Sequence, residues 1–179
     1  MRRIALLSVL VGAVSLGALT YAPLALQTLH GLSATTTGTL LIPMLVGTGA
    51  GTALTGHLSA RAWARPACWV AMLLGLPMAL SPHLAAVGLG LAMVGAGAGL
   101  ALPLLLLDAQ DSAPRDRLAR AGATVQLGRN LGSAVGVLGL GLWTAGRLPP
   151  TTALIGIFLT MSAAAAWGLA VSHRRKEPA

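Results

Sequence analysis

Six long apolar stretches, separated by short polar connections, set the limits on what this chain can fold into. They run near residues 4–26, 39–58, 66–80, 83–107, 121–143 and 151–171. A helix rises about 1.5 Å per residue, so about 20 mostly apolar residues match the roughly 30 Å hydrocarbon core of a bilayer. The 66–80 stretch is the short one, at the lower limit of that range. Strands in lipid leave their backbone groups unpaired unless they close into a barrel, and barrel strands alternate lipid-facing with lumen-facing residues. These runs show no such alternation. The pattern predicts an all-α membrane protein, one six-helix transmembrane domain over residues 1–179.

Composition agrees. The hydrophobic fraction is 55% and only 9% of residues are charged, whereas soluble domains carry about 25% charge to cover their cores. Glycine contributes 23 residues and aromatics 3%, as expected where helices pack through small residues in lipid. The single cysteine, Cys68, excludes an internal disulfide. Arg2 and Arg3 before an apolar run also resemble a signal peptide. The run is too long for that, and cleavage after Thr20-Tyr21-Ala22 would leave Pro23 at the new terminus. The first segment is therefore read as a helix.

A net charge of +8 would suggest nucleic acid in a soluble protein, but here its placement sets orientation, and no nucleic-acid partner is expected. With both termini cytoplasmic, the inner segments hold Arg2, Arg3, Arg61, Arg65, Arg115, Arg117, Arg120, Arg174, Arg175 and Lys176, and the outer ones only Arg147. Basic residues collect on the cytoplasmic side of membrane proteins. That bias predicts an even number of crossings in an inner (cytoplasmic) membrane.

The spans contain one clear charge, Arg129, about two turns into the fifth helix. At about 100° per residue, Gln126, Arg129, Asn130 and Ser133 share a face. Such a stripe is costly against lipid, so it predicts contact with protein or a watery cavity; the plainer reading is that Arg129 snorkels to the headgroups. Gly128, Gly132 and Gly136 repeat on an adjacent face, and Gly47, Gly51 and Thr55 in the second helix and Gly95 with Gly99 in the fourth repeat the spacing. Small residues four apart mark close helix–helix contact. Pro43, Pro77 and Pro103 fall inside spans and are expected to kink or interrupt them.

No Asp or Glu falls at mid-membrane: Asp108 and Asp111 sit at the cytoplasmic edge after the fourth span. His30, His57, His83 and His173 lie at or near span ends. No cluster has metal-ligand spacing and no phosphate-cradling loop occurs, so no cofactor, metal or enzymatic activity is expected. Ser33 in Gly31-Leu32-Ser33-Ala34 invites comparison with intramembrane serine proteases, but it lies in a loop, without the mid-span His such chemistry needs.

Several motifs occur in order along the chain. Tyr21-Ala22-Pro23-Leu24-Ala25-Leu26-Gln27, then Gly31-Leu32-Ser33-Ala34-Thr35, is similar to Y-x-P-L-Y-L-Q…G-x-S-A-x-x-x-G. Gly56 to Arg65 stands where G-x-L-x-D-R-x-G-x-R is found, with Gly56, Arg61 and Arg65 in place. Ala60 replaces the acid and Trp63 the second glycine, which argues against a gating salt bridge at this loop. Gly95 to Pro103 resembles G-x-G-x-G-x-x-x-P, Ala113-Pro114 to Ala123 resembles P-x-x-x-x-G-x-A, and Gln126 to Gly136 resembles Q-x-x-R-x-L-G-x-A-x-G. In order and spacing, the chain resembles the C-terminal half of major facilitator superfamily permeases of the fourteen-span drug:proton antiporter branch.

That resemblance implies half of the superfamily fold, two three-helix inverted repeats. It implies a cavity lined by the first and fourth helices, with Tyr21, Gln126, Arg129, Asn130 and Ser133 as candidate cavity residues. The second and fifth helices would meet another half, with Gly47, Gly51, Gly128, Gly132 and Gly136 at helix-packing or inter-half contacts. Gly56, Arg61 and Arg65 would form the cytoplasmic loop motif and Pro103 a helix break. The third and sixth helices would be peripheral. The expected function is that of a transporter component exporting small lipophilic or drug-like compounds across the bilayer, completed by a second copy or by a separate N-terminal half. The alternative is a truncated permease, inactive in transport or serving as a membrane interaction module.

Overall fold

The computed structural model describes residues 2–61, 63–145 and 149–173, and the described residues are helical and short-linked, with no strand. Six helices follow one another: α1 (Arg2–His30), α2 (Ala34–Leu58), α3 (Ala64–Met78), α4 (Leu84–Asp111), α5 (Leu118–Ala145) and α6 (Pro150–His173), with one 3₁₀ turn at Arg115–Arg117. Arg147, Arg174, Arg175 and Lys176, which bear on the orientation argument, lie outside the described residues.

Local chemistry explains the corners. Gly31 has a φ of +63°, the left-handed conformation that ends helices and that glycine adopts without a Cβ clash. Two residues later Ser33 caps α2, its hydroxyl accepting from the Thr36 N–H at 3.2 Å. The helices run on through Pro23, Pro43, Pro77 and Pro103, so the prolines do not interrupt them.

By length and composition α1, α2, α4 and Thr151–Ser172 of α6 can each cross a bilayer, and the chain is a multi-pass membrane protein. Helix α3 is apolar but has 15 residues, roughly 22 Å of rise. Helix α5 has 28 residues and carries Arg120, Gln126, Arg129 and Asn130 along its first half.

The pairing is specific. Gly128, Gly132 and Gly136 of α5 meet Ala5, Val9 and Ala13 of α1 in ascending order, so these two helices run parallel. Gly47 and Gly51 of α2 meet Ala92 and Ala96 of α4, again parallel. Helix α3 lies antiparallel on α4, Gly75 against Gly90 and Cys68 against Gly97, and Trp69 lies where a Cβ on Gly168 of α6 would be. These directions are those of helices that reverse at every connection. The core forms between α1, α3, α4 and α6, around Val11, Val14, Met72, Leu76, Leu91 and Phe158. Helices α2 and α5 each join it through one stripe: Thr37, Met44, Gly47, Gly51 and Thr55 on α2, and Ala121, Val125, Gly128, Gly132 and Gly136 on α5.

Candidate functional site

Between the α1–α5 pair and the α2–α4 pair lies a cleft of about 470 Å³. Helix α1 contributes Ser15, Leu16 and Leu19, α2 Met44, Leu45 and Thr48, α4 Ala98 and Leu102, and α5 Arg129, Asn130, Ser133 and Ala134. Helices α3 and α6 contribute nothing to this wall, so the cleft faces away from the core. A largely apolar concavity with a few convergent polar groups is the usual form of a small-molecule site.

The local order of the walls follows from the glycines. A methyl group at Gly12 would run into the Arg129 carbonyl oxygen, and one at Gly132 into that of Val9. Without side chains there, α1 and α5 touch backbone to backbone. The stripe next to that seam, Arg129, Asn130 and Ser133, is thereby turned to the cleft. The Ser133 hydroxyl donates to the Gly12 carbonyl at 3.2 Å, and the Tyr21 hydroxyl donates to the Val137 carbonyl at 2.7 Å. Tyr21 is 7% exposed and lies outside the cleft lining, where it fastens α1 to α5. Gln126 is exposed, also outside the lining.

The glycines proposed for helix packing or inter-half contact are occupied within the chain. Gly47 and Gly51 press on α4, while Gly128, Gly132 and Gly136 press on α1. They therefore present no free surface to another half. Pro103 lies in α4 just past the Gly95–Gly99 seam. Having no N–H, it gives nothing to the Gly99 carbonyl four residues back. The Thr52 hydroxyl of α2 shares its one proton between that carbonyl, at 3.1 Å, and the Thr48 carbonyl, at 2.9 Å.

A second cavity, about 160 Å³, lies between α1, α3, α4 and α6, lined by Arg3, Leu7, Arg65, Trp69, Leu104 and Asp108 among others. Here Arg65 of the loop motif reaches α4: its Nη2 donates to Asp108 Oδ1 at 2.6 Å and its Nε lies 3.1 Å from both carboxylate oxygens. The side chains are 27% and 12% exposed, and a fork of this kind is among the stronger polar contacts proteins make. Although position 60 holds alanine, a salt bridge forms at this loop, its acid supplied by α4. Arg61 stays at the surface, its guanidinium 5.9 Å from the Trp63 ring centre, and Gly56 is exposed with open space at its Cβ position. Arg3 donates to the Val171 carbonyl, so the chain's described arginines other than Arg129 gather at one end of the bundle.

Sequence reasoning missed Ser15, Thr48 and Asp108. Hydroxyls scattered through an apolar run carry no signal until the pairing of helices is known. Asp108 was legible: the chain has four acids, and this one falls at the same membrane edge as Arg65. Residues 1–137 match the family model described as Major Facilitator Superfamily. Comparison with curated proteins and with solved structures gave no match.

Proposed function

This chain belongs to the Major Facilitator Superfamily, and from that premise we propose that it forms one six-helix half of a secondary transporter for small lipophilic compounds. Proteins of this superfamily are transporters, not enzymes, and the apolar helices fit a multi-pass protein in contact with lipid. In the proposed reading all six helices cross an inner membrane with both termini cytoplasmic. The gathering of Arg3, Arg65, Arg115, Arg117 and Arg120 at one end of the bundle supports that orientation.

The observation that carries the proposal is the cleft. Four helices wall it, its polar residues converge from α1, α2 and α5, and α2 and α5 beside it expose Ile42, Val46, Leu131, Val135 and Leu138. A second half, from another copy or a separate chain, would cover those leucines and valines, and the two halves would rock to expose the cleft to either side. Because the halves of such permeases are related by an axis along the membrane normal, two copies inserted the same way up satisfy the geometry. Two three-helix repeats are supported by the pairing itself. Exchanging α1, α2, α3 with α4, α5, α6 turns the α1–α5 pair into α4–α2, and the α3–α4 pair into α6–α1, all of which are in contact.

Coupling follows from the acids. With Asp108 engaged by Arg65, the described residues place no carboxylate in the cleft lining and so no proton carrier there. Facilitated export, or coupling through the partner half, is the mechanism we favour over antiport by a homodimer. Proteoliposomes holding the full chain should accelerate efflux of lipophilic dyes without following an imposed proton gradient. Flux that tracks the gradient in the homodimer contradicts the uncoupled mechanism, and absence of flux both alone and with a partner half removes the transporter reading. Cys68 is buried and is the chain's only cysteine, so a Leu131→Cys variant should cross-link between copies if the homodimer is the active form.

A further inference from the structure

Among the described residues, the cleft lining holds a cation, Arg129, and no anion. Arg129 lies eight residues past residue 121, which puts its Cα roughly 12 Å inside the proposed span. It shares the cleft with Ser15 and Leu19, which lie one and two turns further from the arginine-rich end than the Gly12 packed on its backbone. The remaining polar lining is hydroxyl and amide: Ser15, Thr48, Asn130 and Ser133. A guanidinium does not neutralise itself by losing a proton in a protein.

The chain's acids are Asp108, Asp111, Asp116 and Glu177. Asp108 is held by Arg65, Asp111 ends α4 at the arginine-rich end, and Asp116 lies 3.5 Å from Arg117 in the following turn. Glu177 lies outside the described residues. Among the described residues, no carboxylate lines the cleft. A ligand cation entering it would meet a fixed like charge, and a ligand anion would meet an attractive one. The planar guanidinium also matches the two oxygens of a carboxylate or sulfonate. The walls around it, Leu16, Leu19, Met44, Leu45 and Leu102, suit an apolar body.

We propose that this cleft selects lipophilic organic anions, an apolar body bearing a carboxylate or sulfonate, and rejects lipophilic cations of the same size, with Arg129 pairing to the anionic group. The proposal rests on reading the cleft as the substrate site and names the class of substrate.

The test is equilibrium binding to the full chain in phosphatidylcholine nanodiscs, a membrane without anionic lipid, with empty discs subtracted. The probes are 4-phenylbutanoate and its matched cation 4-phenylbutylammonium. The wild-type chain should bind the carboxylate at least about tenfold more tightly, the scale of one charge-assisted pair. Arg129→Lys should keep the preference at a reduced ratio, and Arg129→Gln should abolish it. Equal binding of the two probes by the wild-type chain, or preference for the ammonium, overturns the proposal, and equal binding is also what a partner carboxylate already seated on Arg129 would give. An unchanged ratio in Arg129→Gln overturns it as well. Should the glutamine variant not fold, the wild-type ratio and the lysine variant decide. Carboxylate selectivity without dye flux would uphold the anion site and count against transport; flux without selectivity at equilibrium would do the reverse.

Discussion

In both the α1–α5 and the α2–α4 pair, two parallel helices meet along small residues, and a hydroxyl on one donates to a backbone carbonyl of the other. Gly12 with Gly132 and Gly136 make the first seam, and Gly47 and Gly51 with Gly95 and Gly99 the second. Ser133 reaches the Gly12 carbonyl in one, and Thr52 the Gly99 carbonyl in the other. The pairs differ in what they turn to the cleft. From α5 come Arg129 and Asn130, while α2 and α4 offer Met44, Leu45, Thr48, Ala98 and Leu102. The same packing device thus holds a charged wall and an apolar wall face to face. Packing and ligand chemistry are carried by neighbouring stripes of the same helices, so they can be altered separately.

Removing the charge should erase the largest difference. Arginine near the middle of a span opposes membrane insertion by about 2.5–3.5 kcal/mol on translocon scales. Arg129→Leu should therefore improve insertion of α5 by about 2–3 kcal/mol, measured as the inserted fraction of the full chain in a glycosylation-tagged translation assay, while abolishing binding of 4-phenylbutanoate. No gain in insertion would mean that Arg129 is already satisfied by something outside the described residues, and α5 would then not be the weakly inserting helix its composition makes it.

Next come the seams, where the two pairs should respond alike. A Cβ at Gly132 or at Gly95 would overlap a backbone carbonyl, of Val9 or of Met44, and neither backbone can step aside as a side chain could. Gly132→Ala and Gly95→Ala should each destabilise the folded chain by about 1–3 kcal/mol, read from denaturation in mixed micelles. Lying in different seams, they should add when combined. Gly49→Ala and Gly139→Ala meet open space and should be neutral or slightly stabilising, because alanine favours helix. Equal losses at all four positions would show that the glycines matter for helix flexibility and not for close approach.

Much of this plan was readable before any coordinates. Each of the six apolar stretches lies on one of the six helices, four of which are long and apolar enough to cross a membrane. Most helices outrun the apolar stretches, α2 beginning at Ala34 and α4 ending at Asp111, since helical hydrogen bonding does not stop where lipid stops; α3 ends two residues short of its stretch, at Met78. The spacing of Gly128, Gly132 and Gly136 announced a close contact but not its partner. Spacing is a property of one helix, whereas the choice of α1 over a second half depends on how all six are arranged. Tyr21 illustrates the same limit: a lone hydroxyl in an apolar run fits a cavity wall as well as a clasp, and only the position of the Val137 carbonyl decides. Arg129 was legible because a charge among apolar residues is rare whatever surrounds it.

The smallest effect separates two of the interhelical hydroxyls, Ser133 and Thr52. In the α1–α5 pair, the Gly12 carbonyl already faces the helical N–H of Leu16 four residues on and the Ser15 hydroxyl at 3.4 Å, so the Ser133 hydroxyl is a further donor. In the α2–α4 pair, the residue four beyond Gly99 is Pro103, which has no N–H, so the Thr52 hydroxyl stands in for the missing backbone donor. Interhelical hydrogen bonds in membranes average about 0.6 kcal/mol and reach about 1.7. Thr52→Val should therefore fall near the upper part of that range, about 1 kcal/mol or more, and Ser133→Ala at a few tenths. The decisive measurement is a double-mutant cycle. Pro103→Ala restores an N–H to the helix, and in that background Thr52→Val should cost no more than Ser133→Ala does. If the cost of Thr52→Val were the same with and without Pro103, the hydroxyl would be serving the α2–α4 contact alone. The two seams would then differ in charge and in nothing else.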